Sequence, residues 1–317
     1  MQMLIQKSDI ILVTGHRGMV GSALIRTLSD CGYDNLATVG REQVDLCDLP
    51  AVEQVFRDIK PAVVLHAAAM VGGIQANIDH PADFLSANAS MALNVIGTAA
   101  RSGVKRLCFL GSSCVYPRAA PQPMPEDCLL TGPFEPTNEG YALAKVLGLR
   151  FAEYCHRQLG LNAFSVMPCN LYGTKDHYDL QRSHVVTALV KRFVDAADET
   201  RGSVTLWGTG SARRELMHVE DAAKAIVFLL ERYLGNDHIN VGTGEDVTIR
   251  ELAELVAACT GFRGKIDWDA TKPDGMPRKC LDVSRLRGLG FKPTVTLDSG
   301  IERTVSEYRE LKREGKA

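Results

Sequence analysis

The 317-residue sequence predicts an α/β fold: a doubly wound parallel sheet with helices on both faces, joined to a second, smaller α/β domain. Three observations predict it. A β-branched apolar run near the start breaks into glycines at three-residue spacing. Strand-like and helix-like stretches then alternate through the first half of the chain. Past residue 168 the alternation loosens, as it does where later segments assemble a separate unit.

Taken in order, "IILVTG" (10–15) has strand length and runs into Gly15, Gly18 and Gly21 of "GHRGMVG". "SALIRTLSDCG" is apolar at helical spacing and closes on a glycine. Backbone amides at a helix N-terminus can cradle a pyrophosphate only where no Cβ intervenes, so strand, glycine turn and helix together predict a dinucleotide site. Glycines alone would fit an ordinary tight turn; the flanking elements favour the nucleotide. The second strand, "NLATVG", ends in Gly40 and Arg41, with no carboxylate where an NAD enzyme carries one for the ribose. Arg17, in the glycine turn, is a second cation. Two guanidiniums favour a 2′-phosphate and hence NADP(H), because a planar fork pairs with phosphate bidentately. The plainer alternative is two solvated surface arginines.

Helix "LPAVEQVFRDIK", strand "AVVLHAAA", a helix from about Pro81 to Gly103 and strand "RLCFLGSS" continue the pattern. Ligands of such sheets lie beyond the C-terminal strand ends, which sets "AAAMVGG" and "GSSCVYP" side by side at a cleft. "EGYALAKVLGLRFAEYCHRQLG" reads as a helix, so Tyr141 and Lys145 share one face at i, i+4. A phenol with a reference pKa near ~10 needs help at neutral pH. A neighbouring ammonium and an oxidised nicotinamide would favour its phenolate, and Ser112 can hydrogen-bond the same substrate oxygen. "FSVMPCNLYG" (164–173) is another strand, and the helix after "HVEDAA" with strand "HINVG" predicts one return to the sheet. The expected division is 1–168 plus about 213–243 for the dinucleotide, and 169–212 plus 244–317 for the substrate.

Composition limits the function classes. Hydrophobic residues make up 45% and charged residues 23%, as in ordinary globular proteins, and a net charge of −2 argues against nucleic acid or an anionic membrane as partner. No apolar stretch approaches the roughly 20 residues of a membrane span, and "MQMLIQKSDIILVTG" runs into a strand rather than a cleavage site, so a cytoplasmic protein is expected. Nine cysteines without a C-x-x-C pair suit reduced thiols. Asp176, His177, Asp179 and His184 match no strong ligand spacing, and no metal is expected.

The spacing G-x-x-G-x-x-G and "NVIGT" resemble the extended short-chain dehydrogenase/reductase superfamily, with its Rossmann domain. The resemblance narrows with "AAAMVGGIQANIDHPADF", "LGSSCVYP", "EPTNEGYALAK", "SVMPCNLYG", "SHVV", "LWGTG", "RRELMHVEDAA", "INVGTGEDVTIRELAE" and "KPDGMPRKCLDVSRL". In this order, over nearly the whole chain, they are similar to the GDP-L-fucose synthase family. That family implies an NADPH-dependent GDP-4-keto-6-deoxy-D-mannose 3,5-epimerase/4-reductase with a GDP-sugar substrate, and a homodimer packed through helices that include the one bearing Tyr141.

The same resemblance implies that Cys114 and His184 are the proton-exchanging pair, joining Ser112, Tyr141 and Lys145. From the residues alone, Cys114 reads first as a small buried apolar side chain and His184 as a surface or helix-capping residue; the family context reverses both. The implied cofactor site adds Met19, Val20, Leu110, Gly111, Ser112, Lys145, Pro168, Asn170, Leu171 and His184 to Gly15, Arg17, Gly18, Gly21 and Arg41. The implied substrate site is Ser113, Asn170, Arg192, Trp207, Arg214, Asp274 and Arg278. One segment, "YGTKDHYDLQRSHVV", departs from the family's more usual "YGPHDNF". It leaves a related GDP-4-keto-6-deoxyhexose or deoxyheptose, for example of colitose type, as an alternative substrate. A 4-epimerase or dehydratase fits less well, because Cys114 stands where a dehydratase carries an acidic residue.

Overall fold

The computed structural model describes residues 4–179, 183–272 and 274–316; residues 180–182, within the departing segment, and 273 lie outside the description. The chain runs β1 (Ile11–Thr14), α1 (Met19–Asp30), β2 (Leu36–Val39), α2 (Leu49–Ile59), β3 (Val63–His66), α3 (Ile74–Asp79), α4 (Pro81–Arg101), β4 (Arg106–Leu110), α5 (Glu139–Leu159) and β5 (Ala163–Pro168). It continues through β6 (Asn170–Tyr172), α6 (Val185–Asp198), β7 (Ser203–Trp207), β8 (Arg213–His218), α7 (Val219–Arg232) and β9 (His238–Val241). Then come β10 (Asp246–Thr248), α8 (Ile249–Thr260), β11 (Lys265–Asp269), β12 (Arg278–Lys279), α9 (Ser284–Gly288) and α10 (Leu297–Arg313).

Six strands form a parallel sheet in the order β2-β1-β3-β4-β5-β9. β1, β3, β4 and β5 are buried along their whole length, which is why their sequences are near-continuous apolar runs rather than alternating ones. The expected return to the sheet is made by α7 and β9. Because β2 and β3 flank β1 on opposite sides, the crevice for ligands opens beyond the C-terminal ends of β1 and β3.

Two apolar cores hold the chain together. The first surrounds the six-stranded sheet and takes in Leu24, Val95, Phe109, Leu149, Ile226 and Leu230. The second lies among α6, α8 and α10, around Val190, Phe193, Leu252, Val256, Ile301 and Tyr308. Burying each such large side chain stabilises the fold by about 1.5–3 kcal/mol. β8 touches both, because successive strand side chains point to opposite faces: Leu216 packs in the second core and Met217 in the first. β8 also pairs with β6, β10 and β12, so it carries the later segments against the open end of the sheet. Leu281, Val283, Leu286 and Phe291 return to the first core, drawing β12 toward β4.

Candidate active site

β4 ends at Leu110, and the chain turns immediately. Ser112 accepts a hydrogen bond from the Cys114 amide at 3.2 Å and so caps a single 3-10 turn, Ser113–Val115, which holds Ser113 buried and Cys114 half-buried. Two distant segments close on the thiol. Asn138, the residue before α5, donates from Nδ2 to Cys114 Sγ at 3.3 Å, and Lys279 of β12 brings its Nζ to 3.4 Å. Burial pushes the Cys114 thiol up, but the Lys279 ammonium, the Ser112 hydroxyl and His184 together outweigh it and hold the thiol below its usual value. These contacts favour the thiolate of Cys114 relative to an ordinary thiol.

His184 stands at the N-cap of α6 with its side chain half-exposed. Its Nδ1 lies 3.2 Å from Oδ1 of Asp176, a buried carboxylate that also accepts from the His177 amide at 2.8 Å and the Thr187 hydroxyl at 3.3 Å. The hydrogen bond to Asp176 raises the imidazole's pKa, and the opposing effect of burial is smaller. Thiol and imidazole are thus pushed in opposite directions, which favours a thiolate and an imidazolium at the same pH. Such a pair can remove a proton from one face of a carbon acid and return one to the other.

Tyr141, in the first turn of α5, is half-buried, with its phenol hydrogen-bonded to Ser112. The expectation that Lys145 brings the phenol down is corrected here. Burial, and then the Cys114 charge, raise Tyr141 well above the ordinary phenol value. The Lys145 ammonium lies 5.6 Å from the centroid of the Tyr141 ring but donates to the Leu110 carbonyl at 2.7 Å, and burial depresses it to about 8. In the isolated protein, desolvation and the Cys114 charge outweigh the Ser112 hydrogen bond, so Tyr141 is a phenol.

The residues of the glycine turn fit a dinucleotide. Gly15 has φ +74°, and a Cβ there would sit 2.7 Å from the Ala68 amide nitrogen; one at Gly21 would sit 2.1 Å from the Gly15 carbonyl oxygen. Gly18 caps α1 without a side-chain hydrogen bond, so the amides of Met19, Val20 and Gly21 in the first turn remain open to an anion. The Nδ1 of His16 is buried there without a partner. Leu110 ends β4 and Gly111 and Ser112 follow it, Pro168 ends β5, and Asn170 and Leu171 begin β6 nearby, with Asn170 donating to the Glu215 carbonyl at 3.1 Å.

The absence of a carboxylate at the end of β2 is a second correction. Glu42, one residue past Arg41, forms a bidentate pair with Arg17 at 2.8 and 2.5 Å, whereas Arg41 is exposed. The acidic residue lay two positions beyond the place where the sequence pattern looks for it.

The expected substrate residues divide. Asp274 accepts from the amide and hydroxyl of Thr209, both at 2.7 Å, tying its loop to the one that follows Trp207, and its charge faces Arg214. Arg214 donates to the Arg213 and Met276 carbonyls, leaving its charge without a carboxylate hydrogen bond. Arg278 is held by Asp246 at 2.5 Å, in company with Arg213. Trp207 is exposed, with Lys272 over its ring. Arg192 lies two turns along α6 from His184, where it donates to the Thr205 carbonyl and lines a surface depression of about 280 Å³ with Arg201, Ser203 and Val204.

Lys279, Asn138 and the pairing role of Asp176 were missed by sequence reasoning. Lys279 lies 165 positions from Cys114, and the only signal was chemical: a buried thiolate needs a cation. Asp176 was visible as one of several acidic and histidine residues near His184. Among the described residues no group of three or more His, Cys, Asp or Glu is placed to hold a metal ion, and no helix is long and apolar enough to cross a membrane.

Comparison with known proteins adds the following. Residues 11–242 match the model of the NAD dependent epimerase/dehydratase family. GDP-L-fucose synthase 1 of Arabidopsis thaliana is 50% identical over 302 residues, covering 95% of this chain and 94% of that protein. GDP-L-fucose synthase of Escherichia coli K12 is 44% identical over 309 residues, covering 95% and 96%. Among solved structures, a GDP-mannoheptose C4 reductase from Campylobacter jejuni with NADP bound superposes with a TM-score of 0.87 at 32% identity, covering 96% of this chain and 99% of that one.

Proposed function

The chain belongs to the NAD dependent epimerase/dehydratase family, and from that premise we propose how its site carries out the work of an NADPH-dependent GDP-L-fucose synthase. The activity is 3,5-epimerisation and 4-reduction of GDP-4-keto-6-deoxy-D-mannose. What supports this reading most is the half-buried thiol between Lys279 and Asn138, within electrostatic reach of a histidine whose pKa Asp176 raises. A plain reductase has no need of such a pair.

In the proposed scheme Ser112 and Tyr141 hydrogen-bond the C4 keto oxygen of the sugar. The Cys114 thiolate takes the proton from the carbon beside that ketone, and the bond's electron pair moves onto the oxygen as an enolate. The His184 imidazolium returns a proton to the opposite face, inverting the centre. Thiol and neutral imidazole regain their starting states by exchange with water, so solvent hydrogen enters the sugar at each inversion. When bound at the glycine turn, the reduced nicotinamide supplies the hydride for C4. Tyr141, which its raised pKa keeps protonated, donates the proton to the more basic alkoxide, and Lys145 holds the α5 helix to the end of β4 through the Leu110 carbonyl. Arg214 and Arg278, with Arg192, Trp207, Asn170, Ser113 and Asp274, are read as the GDP-sugar contacts. Arg214 is the best supported of the cations, because among the described residues its guanidinium hydrogen-bonds to the Arg213 and Met276 carbonyls and to no carboxylate.

The division into 1–168 plus about 213–243 and 169–212 plus 244–317 belongs to the same reading, with the cleft between dinucleotide and substrate parts. A homodimer through α4 and α5 is supported by Leu85, Leu93, Leu143 and Tyr154, which those two helices leave exposed. A cytoplasmic location accords with nine unpaired cysteines.

The test is incubation with GDP-4-keto-6-deoxy-D-mannose and NADPH in deuterated water. NADPH loss with deuterium at both C3 and C5 is the expected outcome. Reduction without label, or with label at one carbon, would refute the double epimerisation and favour a C4 reductase acting on a related GDP-sugar.

A further inference from the structure

The pair Arg17–Glu42 has a place in the fold that bears on cofactor choice. Arg17 stands in the glycine turn after β1, and Glu42 lies just past the end of β2, the strand beside it. The two terminal nitrogens of the Arg17 fork are engaged, Nη1 with Oε2 at 2.8 Å and Nη2 with Oε1 at 2.5 Å. The Glu42 carboxylate folds back over Gly40, where a Cβ would lie 2.2 Å from Oε1, so its pose depends on a residue without a side chain at that point. The end of the second strand is where this fold meets the 2′ position of the adenosine ribose. Glu42 occupies the Nη1/Nη2 edge of the guanidinium, one of the edges that its five N–H groups present. A 2′-phosphate that uses that edge must displace Glu42, and one that uses the Nε edge must sit beside the Glu42 carboxylate. A 2′-hydroxyl can donate to Glu42 with the Arg17–Glu42 pair intact.

We propose that Glu42 is a specificity-determining residue that competes with the 2′-phosphate for Arg17, so that the site discriminates weakly between the two nicotinamide nucleotides and accepts NADH as well as NADPH. The proposal rests on the glycine turn being the dinucleotide site. It assigns Arg17 an exchange of partners and leaves exposed Arg41 as the cation that meets the phosphate first.

Fluorescence titration of NADPH and NADH onto the full chain, without sugar substrate, reads the effect independently of turnover. Glu42→Gln is expected to tighten NADPH on the order of fivefold, the scale of an exposed ion pair, and to weaken NADH. Arg17→Met is expected to weaken NADPH and spare NADH. Calorimetry with ADP-ribose and its 2′-phosphate gives the same comparison without the nicotinamide. An NADPH-to-NADH affinity ratio that Glu42→Gln changes by less than about twofold overturns the competition. Glu42→Ala, which leaves no amide to replace the carboxylate, must move the ratio in the same direction, or the proposal fails. If the unsubstituted protein binds neither nucleotide, it is the placement of the dinucleotide site that falls.

Discussion

Replacing Lys279 with methionine keeps an unbranched apolar stem and removes the charge that lies 3.4 Å from Cys114. After burial, which acts the other way, the Lys279 ammonium is the largest influence on the thiol. A hydrogen bond to a charged group contributes about 1.5–3 kcal/mol, and ~1.4 kcal/mol corresponds to tenfold in the thiolate population of a thiol that is mostly protonated. With Lys279 gone, burial remains and the thiol rises, so near neutral pH the thiolate fraction falls roughly ten- to a hundredfold. Only the thiolate is alkylated, so the assay is the rate at which iodoacetamide labels the Cys114 peptide, read by mass spectrometry. Exposed Cys31 and Cys47 serve as internal standards, their thiols being held high by burial and nearby carboxylates. Lys279→Met should slow Cys114 labelling and the entry of solvent deuterium into substrate by similar factors, while NADPH binding is unchanged. Lys279→Arg should recover much of both. Labelling that keeps its rate in Lys279→Met would refute the thiolate argument, and labelling that falls while deuterium exchange survives would remove Cys114 from the role of base.

Asp176→Asn removes the carboxylate that raises His184, so the imidazolium is lost at a lower pH and the alkaline limb of deuterium exchange should move to lower pH. His66 is buried at the end of β3, accepting or donating at 2.8 Å to Thr14, and burial holds its pKa down to about 3. A depressed pKa of this kind contributes stability that is whole above the unfolded value and lost as pH falls toward the folded one. Urea unfolding should therefore weaken by roughly 1.4 kcal/mol per pH unit below about pH 6.5, and His66→Gln should flatten that slope. Arg106 is fully buried at the start of β4 and donates to the carbonyls of Leu229, Leu230 and Tyr233 and to Asn162. Arg106→Ala leaves those acceptors without partners and should cost at least about 3 kcal/mol in equilibrium unfolding, with no change in the pH profile of exchange.

Much of this protein was legible in one dimension, for identifiable reasons. A buried parallel strand must be apolar throughout, a tight approach of backbone to pyrophosphate must lack a Cβ, and an α-helix brings i and i+4 to one face. These are local requirements, so β1 with its glycine turn, the run of β3, β4 and β5, and the pairing of Tyr141 with Lys145 on α5 could be read directly. Cys114 and His184 were visible through family resemblance; nothing in their immediate neighbours distinguishes a base from a packed thiol.

The tertiary structure decided what those side chains are. Lys279 reaches Cys114 only because β12 pairs with β8 and the segment after it returns to the first core, and Asn138 only because α5 starts beside the turn after β4. The same holds for Asp176 behind His184 and for Glu42 against Arg17. Even Lys145 changed its meaning: helical spacing put it near Tyr141, but burial directed its charge to the Leu110 carbonyl and left the phenol high. Residue type and spacing determine which groups are present and which face they share. Protonation depends on desolvation and on charges within a few ångströms, and those neighbours come from sequence positions that only the folded chain brings together.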